Sequence, residues 1–228
     1  MVPMPNEKSK IFLLDDHPLV RSWLGQLIED QPDLMVCGEA DNLTEAWSCL
    51  KISKPDVAIL DLSLPDGTAL ELIKNIKVAY PSLRILVLSM HEEKVYAGRV
   101  IRAGAHGYVM KRETAGRIID AIYEVLRGKL AVSDAVEAIF SEKYGDGNAP
   151  PAGPHVERLS NRELEIFELI GAGMETRSIA RQLQISMKTV QTHCAKIQDK
   201  LELDNATELL REAIRWREHP DASFVQAP

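Results

Sequence analysis

The sequence has no apolar run approaching the roughly 20 residues a helix needs to cross a bilayer, so no membrane role is expected. Met1 to Lys10 lacks the apolar stretch of a secretory signal, so export is not expected either. Cysteine is scarce. Cys37, Cys49 and Cys194 stand far apart, with neither metal-ligand nor disulfide spacing, and read as reduced thiols of a cytoplasmic protein. A basic excess is missing as well. The formal net charge of -7 excludes a surface coated in lysine and arginine, but it leaves room for a local basic patch. Internal repeats are absent. What remains is an ordinary globular composition, 45 % hydrophobic and 27 % charged, on 228 residues, enough for two modest domains.

The first half alternates short apolar runs with amphipathic stretches. Ile11 to Leu14, Leu34 to Cys37, Val57 to Leu60, Ile85 to Leu88 and Gly107 to Val109 read as buried strands. Their continuous apolarity fits a parallel sheet covered on both faces. Between them lie helical stripes: Leu19, Leu24, Leu27 and Ile28; Leu43, Ala46, Trp47 and Leu50; Leu70, Leu72, Ile73 and Ile76. Val95, Val100 and Ile101 form a fourth, and Ile118, Ile119, Ile122, Val125 and Leu126 a fifth. Strand then helix, five times over, predicts a doubly wound α/β fold with a five-stranded parallel sheet. Leu130 to Lys143 reads as a further helix, and Tyr144 to Pro154, rich in Gly and Pro, as a flexible linker. Four short helices follow, at about 160–171, 175–183, 186–200 and 205–217, before a patternless tail after His219.

Ligands of parallel α/β sheets bind beyond the carboxyl ends of the strands. Asp15 and Asp16 follow the first strand, Asp61 the third and Lys111 the fifth, while Ser89 ends the fourth. Crowded carboxylates repel one another unless a hard cation joins them, and Mg2+ suits a site of few carboxylates that also takes phosphate oxygens. A carboxylate can attack a phosphoryl group to form an acyl phosphate, and an ammonium and a hydroxyl can hold the developing charge. Taken singly, each residue has a plainer reading. Asp-Asp after a strand is also an ordinary N-cap, and Lys111 a solvated charge. Their joint placement at four strand ends favours the site.

In Leu13-Leu14-Asp15-Asp16-His17-Pro18, Asp61-Leu62-Ser63-Leu64-Pro65-Asp66-Gly67, Leu88-Ser89-Met90-His91 and Gly104 to Lys111, the chain resembles the receiver domain of response regulators, over about residues 9–128. The resemblance implies a flavodoxin-like fold with Asp61 as phosphoacceptor. It implies Mg2+ held by Asp16, Asp61 and the backbone carbonyl of Ser63, with Asp15 helping through a water. It implies Lys111 paired with the phosphoryl group, and Ser89 and Tyr108 as the switch hydroxyl and aromatic. Arg112 departs from the proline that many receivers carry there, and Ser63 and His91 flank the pocket at variable positions.

The second half carries a different signal. Ile179, Ala180 and Leu183 line the inside of a short helix, Ile185 and Ser186 turn the chain, and Val190, Cys194, Ile197 and Leu201 repeat at helical spacing. A helix that follows such a turn and presents basic and amide side chains fits the major groove, although a lysine-bearing face is also simply a solvated one. Leu159 to Glu165, Gly173, Thr189 to His193 and Asn205 to Leu209 resemble the LuxR/NarL/FixJ helix-turn-helix, over roughly residues 157–216. Ser160 with Glu163 also reads as a capping box. The resemblance implies base contacts from Gln191, Thr192 and Ala195, and phosphate contacts from Lys188, Thr189, Lys196 and Lys200. It also implies a homodimer contact along the helix from Asn205 to Trp216. Gln191, Cys194 and Met187 stand where basic residues or proline are frequent, which predicts weaker nonspecific affinity for DNA.

Together these readings give a receiver at 1–128, an extra helix and linker at 129–155, a small all-α four-helix helix-turn-helix domain at 156–218 and a tail at 219–228. The expected function is a two-component response regulator. A sensor histidine kinase or small phosphodonor would phosphorylate Asp61 and so control binding to double-stranded DNA and transcription. Two other functions are open to the same residues. One is a Mg2+-dependent phosphotransferase, against which Ser63 stands where a second carboxylate is usual. The other is a binding module that no longer takes phosphate.

Overall fold

Five apolar runs form one parallel sheet: β1 (Ser9–Leu14), β2 (Leu34–Ala40), β3 (Val57–Asp61), β6 (Arg84–Ser89) and β7 (Gly107–Met110), in the order β2-β1-β3-β6-β7. The computed structural model describes residues 8–64, 67–138 and 155–218. The chain divides into two compact units, Met1–Pro150 and Pro151–Pro228. In the first, α1 (Pro18–Glu29), α2 (Leu43–Ser53), α3 (Ala69–Ala79), α4 (Glu93–Ala103) and α5 (Ala115–Leu126) connect the strands. Successive strand side chains face opposite ways. Ile11, Leu13, Val57, Ile59, Leu86 and Leu88 therefore meet Leu24 and Ile28 of α1 and Ile118, Ile122 and Val125 of α5 in one continuous core.

Several helical stripes need correction. Leu19 is 86 % exposed, and Val20 takes its place against the core. Val20 stands four residues before Leu24 on the same helical face, whereas Leu19, five before it, points about 140° away from Leu24. Trp47 is 39 % exposed, and its ring meets Tyr80 at 5.9 Å on the outside of the unit rather than in the core. Tyr96 of α4, absent from the expected stripe, is fully buried. The expected burial on both faces holds for β3 throughout, whereas β2 is a half-exposed edge strand. A small antiparallel pair, β4 (Ser63–Leu64) with β5 (Gly67–Thr68), was not foreseen.

The helix expected from Leu130 does not start there. Ala131 instead forms a parallel bridge with Gly107, and Tyr108 N donates to Ala131 O at 2.8 Å. Gly107 makes the approach possible, because a Cβ there would lie 2.7 Å from Ala131 O. Residues 134–138 are helical; the remainder of that stretch, the linker at 144–154 and the tail after His219 lie outside the described residues.

In the second unit, α6 (Asn161–Gly171), α7 (Thr176–Gln182), α8 (Met187–Leu201) and α9 (Ala206–Glu218) match the four expected helices within a residue or two. The capping box is present: Ser160 Oγ accepts from Glu163 N, and Glu163 Oε2 accepts from Ser160 N at 2.7 Å. Gly173 ends the α6 turn at φ 77°, a conformation that favours glycine. Phe167 and Trp216, with centroids 5.9 Å apart, join α6 to α9.

The altered phase of α1 gives a direct check. Leu24→Ala should destabilise the protein by about 2–5 kcal/mol in urea unfolding, whereas Leu19→Ala should change stability by no more than about 0.5 kcal/mol.

Candidate functional site

Register brings the acidic residues together. Leu14 of β1 is paired with Leu60 of β3, so Asp15 and Asp61 leave the sheet side by side, and Asp61 is paired with Leu88, one residue before Ser89. Lys111, just past β7, reaches back to both carboxylates. Its Nζ lies 2.6 Å from Asp15 Oδ2 and 2.7 Å from Asp61 Oδ2. All three side chains are buried. Oxygens of Asp15, Asp16 and Asp61 and a ring nitrogen of His17 lie within 4.8 Å of one another. Asp16 Oδ1 is 2.7 Å from His17 Nδ1, out of hydrogen-bond alignment, and this buried oxygen has no hydrogen-bond partner among the described residues.

Burial pushes the Asp61 carboxyl up to about 6, against the pull of the Lys111 charge. Burial alone would lower Lys111, but the charge of Asp61 and hydrogen bonds to both carboxylates outweigh it and raise its pKa. A carboxylate made hard to ionise by burial beside a fixed ammonium is a group whose charge state responds to any further cation.

Around this rim lies a set of contacts that the sequence did not announce. Ser63 N donates to Asp61 Oδ1 at 3.3 Å, and Ser63 Oγ lies 2.8 Å from His91 Nε2. Ser89 is fully buried, and its Oγ accepts from His91 N at 3.2 Å. The buried Tyr108 donates its hydroxyl to His91 O at 2.9 Å, and the His91 ring stacks on Tyr96 at 4.6 Å. His91, expected only to flank the pocket, thus touches both expected switch residues. His17 was missed as part of the acidic group; its position directly after two aspartates was the available signal.

In the second unit, Ser186 caps α8 through Thr189 N at 3.0 Å. Val190, Ile197 and Leu201 face inward, while Lys188, Thr189, Gln191, Thr192, Ala195 and Lys196 are exposed. The sequence-predicted contact set thus forms one open helical face, except for Lys200.

Comparison with known proteins places this architecture. The family model "Response regulator receiver domain" matches residues 11–123, and "Bacterial regulatory proteins, luxR family" matches residues 157–213. The Fimbriae Z protein of Salmonella typhimurium is 34 % identical over 203 residues, 89 % of this chain and 94 % of that protein. The chain belongs to the LuxR-family response regulators. The oxygen regulatory protein NreC of Staphylococcus haemolyticus is 33 % identical over 90 % of this chain and 97 % of its own length. Among solved structures, RcsB of Salmonella enterica serovar Typhimurium, bound to promoter rprA in the presence of phosphomimetic BeF3-, is 28 % identical. That match has a TM-score of 0.59 and covers 91 % of this chain and 99 % of that one.

This response regulator therefore carries a receiver and a LuxR-type DNA-binding domain. Its relatives are transcriptional regulators rather than enzymes. No helix among the described residues is long and apolar enough to cross a membrane.

Lys200 is the expected DNA contact with a second engagement. Its Nζ lies 2.6 Å from Glu163 Oε2, pinning the end of α8 to the start of α6. Burial opposes ionisation of Glu163, yet the Lys200 ion pair and the Ser160 N–H outweigh it and hold its pKa below the ordinary value. His193 Nδ1 is buried without a hydrogen-bond partner among the described residues, and burial lowers its pKa.

Two outcomes are expected. The folded-state pKa of Asp61 exceeds its unfolded value of 3.8, so the folded protein binds more protons, and stability falls as pH rises from about 4 through about 6. Asp61→Asn should therefore raise stability at pH 7 by on the order of 1–3 kcal/mol. That gain should vanish below pH 4 in thermal melts across pH. Glu163 has the opposite sign. Lys200→Ala should cost about 1–3 kcal/mol above pH 5, by stranding a buried carboxylate. The loss should fade as acid protonates Glu163, read by denaturant unfolding across pH.

Proposed function

We propose that Asp61 is the phosphoacceptor of this regulator, within a receiver at residues 1–128, and that its phosphorylation controls DNA binding by residues 156–218. The observation that carries the reading is the Lys111 ammonium bonded at once to Asp15 and Asp61 at the strand ends. An Asp61 oxygen attacks phosphorus of a histidine kinase phosphoimidazole or of an acyl phosphate. The bond to the donor breaks, and its electron pair leaves with the donor. Lys111, already within hydrogen-bond reach of Asp61, neutralises the charge that gathers on the phosphoryl oxygens. Because burial lifts the Asp61 pKa to about 6, a second cation would favour its carboxylate form most as pH falls toward that value.

The donor set fits a divalent ion. Asp16 Oδ1 is a buried oxygen with no hydrogen-bond partner among the described residues, and oxygens of Asp15 and Asp61 lie within the same 4.8 Å cluster. Mg2+ would be held by Asp16, Asp61 and the Ser63 carbonyl, with Asp15 contributing through a water. When bound it supplies charge neutralisation at the phosphoryl oxygens. Ser89 then offers its hydroxyl to the new phosphoryl group, and Tyr108 reads that movement through its bond to His91. That RcsB was determined on promoter DNA with a phosphomimetic supports the same coupling here.

On DNA, Gln191, Thr192 and Ala195 face bases, and Lys188, Thr189 and Lys196 face phosphates. Lys200 adds a phosphate contact only where its bond to Glu163 leaves a donor free. Two copies pair through α9, whose Leu210 and Ile214 are exposed apolar residues.

Acetyl phosphate with Mg2+ should add one phosphoryl group by intact mass, and Asp61→Asn should abolish it; an unmodified wild-type protein would overturn the reading. Lys196→Ala should weaken all DNA sequences alike and lower the salt slope by about 1, whereas Gln191→Ala should change base preference by about 1–3 kcal/mol at one position.

A further inference from the structure

The N-terminal edge of the receiver sheet, the pole opposite the acidic rim, holds a concavity that the signalling chemistry does not use. Its volume is about 490 Å3, within the range of small-ligand sites. Four cations ring it. Lys8 and Lys10 come from the start of β1, Lys54 from the end of α2 and Arg84 from the start of β6, and Leu126 of α5 forms an apolar wall.

The floor is rigid. Asp56 N donates to Lys10 O at 2.9 Å, Arg84 N donates to Asp56 O at 3.0 Å, and Lys10 N donates to Asp56 Oδ2 at 2.8 Å. The one carboxylate of the lining thus serves the backbone. Among the described residues, none of the four cations forms an ion pair. Like charges gathered in a hollow repel one another unless an anion joins them, and they do so here in a protein of net charge -7.

Lys54 brings its charge to the hollow from the end of α2. It sits at φ 46°, ψ 62°, the left-handed conformation that glycine adopts without cost and that a lysine does not. This is the left-handed C-cap of α2, a conformation that Glu202 shares at the end of α8. At this position the chain keeps a cation that a glycine would have spared from strain.

We propose that this concavity binds a compact anion carrying two or more phosphoryl groups, such as a nucleoside di- or triphosphate or an inorganic polyphosphate. Four cations converging from three chain segments exceed what a single phosphate needs. The Arg84 guanidinium offers a bidentate fork and the lysines offer point charges. The Leu126 wall accommodates an organic portion. A nucleic-acid backbone calls for an extended basic stripe, whereas these cations surround one hollow.

The test is calorimetric titration of the full chain with ADP, inorganic triphosphate and inorganic phosphate, in EDTA at about 0.15 M salt. ADP or triphosphate should bind with a dissociation constant on the order of 10 µM, and phosphate about tenfold more weakly or worse. Whichever polyanion binds tighter names the source. Lys54→Gly should weaken binding about tenfold while the melting temperature stays level or rises, because the substitution removes the charge and the strain together. Arg84→Gln should weaken binding similarly, and Asp61→Asn should bind as wild type does. No heat with either polyanion, phosphate binding as tightly as triphosphate, or unchanged affinity in Lys54→Gly would overturn the proposal. So would displacement of triphosphate by a random DNA duplex from a Lys196→Ala chain, which would assign the cations to nucleic acid.

Discussion

A single ammonium holds the receiver's rim together. Lys111 is buried between Asp15 and Asp61, and each of those aspartates leaves the end of a different strand. Without that charge, two buried carboxylates would face each other in a low-dielectric setting, a strongly unfavourable arrangement. With it, one positive charge is shared between two negative ones, and Asp16 Oδ1 is left with no hydrogen-bond partner among the described residues. With Asp61 ionised, the rim therefore retains an excess of negative charge that a further cation can relieve. The parallel sheet makes this possible, because its register aligns the ends of β1, β3, β6 and β7 on one edge.

From that rim a continuous set of contacts runs outward. Ser63 touches Asp61 and His91, and His91 touches Ser89, Tyr96 and Tyr108. Tyr108 in turn donates its backbone N–H to Ala131, and Ser133 N donates to the buried Glu93 Oε1 at 2.7 Å. The segment from Ala131 to Ser133 is thus anchored on both β7 and α4. Under the proposed phosphorylation of Asp61, movement of Ser89 or Tyr108 would act on packed neighbours, as in elements that convert a local charge into a repacking.

Much of this was legible in the residues themselves. Strand ends, the four C-terminal helices and the capping box followed from apolar periodicity and N-terminal signals, which depend on local chemistry. The grouping of Asp15, Asp16, Asp61 and Lys111 followed from topology. What escaped depends on tertiary choices. Leu19 and Val20 compete for one inward position, and the four-residue spacing of Val20 from Leu24 decides between them. Trp47 has the hydrophobicity of a core residue but is partly exposed, with its ring against Tyr80. Ala131 sits in a stretch of helical composition, and Gly107, more than a turn of sequence away, pulls it into a bridge instead. Lys200 carries the charge of a phosphate contact, yet its distance to Glu163 is a property of how α6 crosses α8.

Burial, set against one lysine, lifts the Asp61 pKa to about 6, and a divalent ion at the rim would lower it. Carboxyl carbon NMR of the full chain, with the Asp61 signal assigned by its loss in Asp61→Asn, reads this directly. The expected midpoint lies near pH 6 in EDTA and falls well below it in Mg2+. A midpoint near 3.8 in both conditions would contradict it.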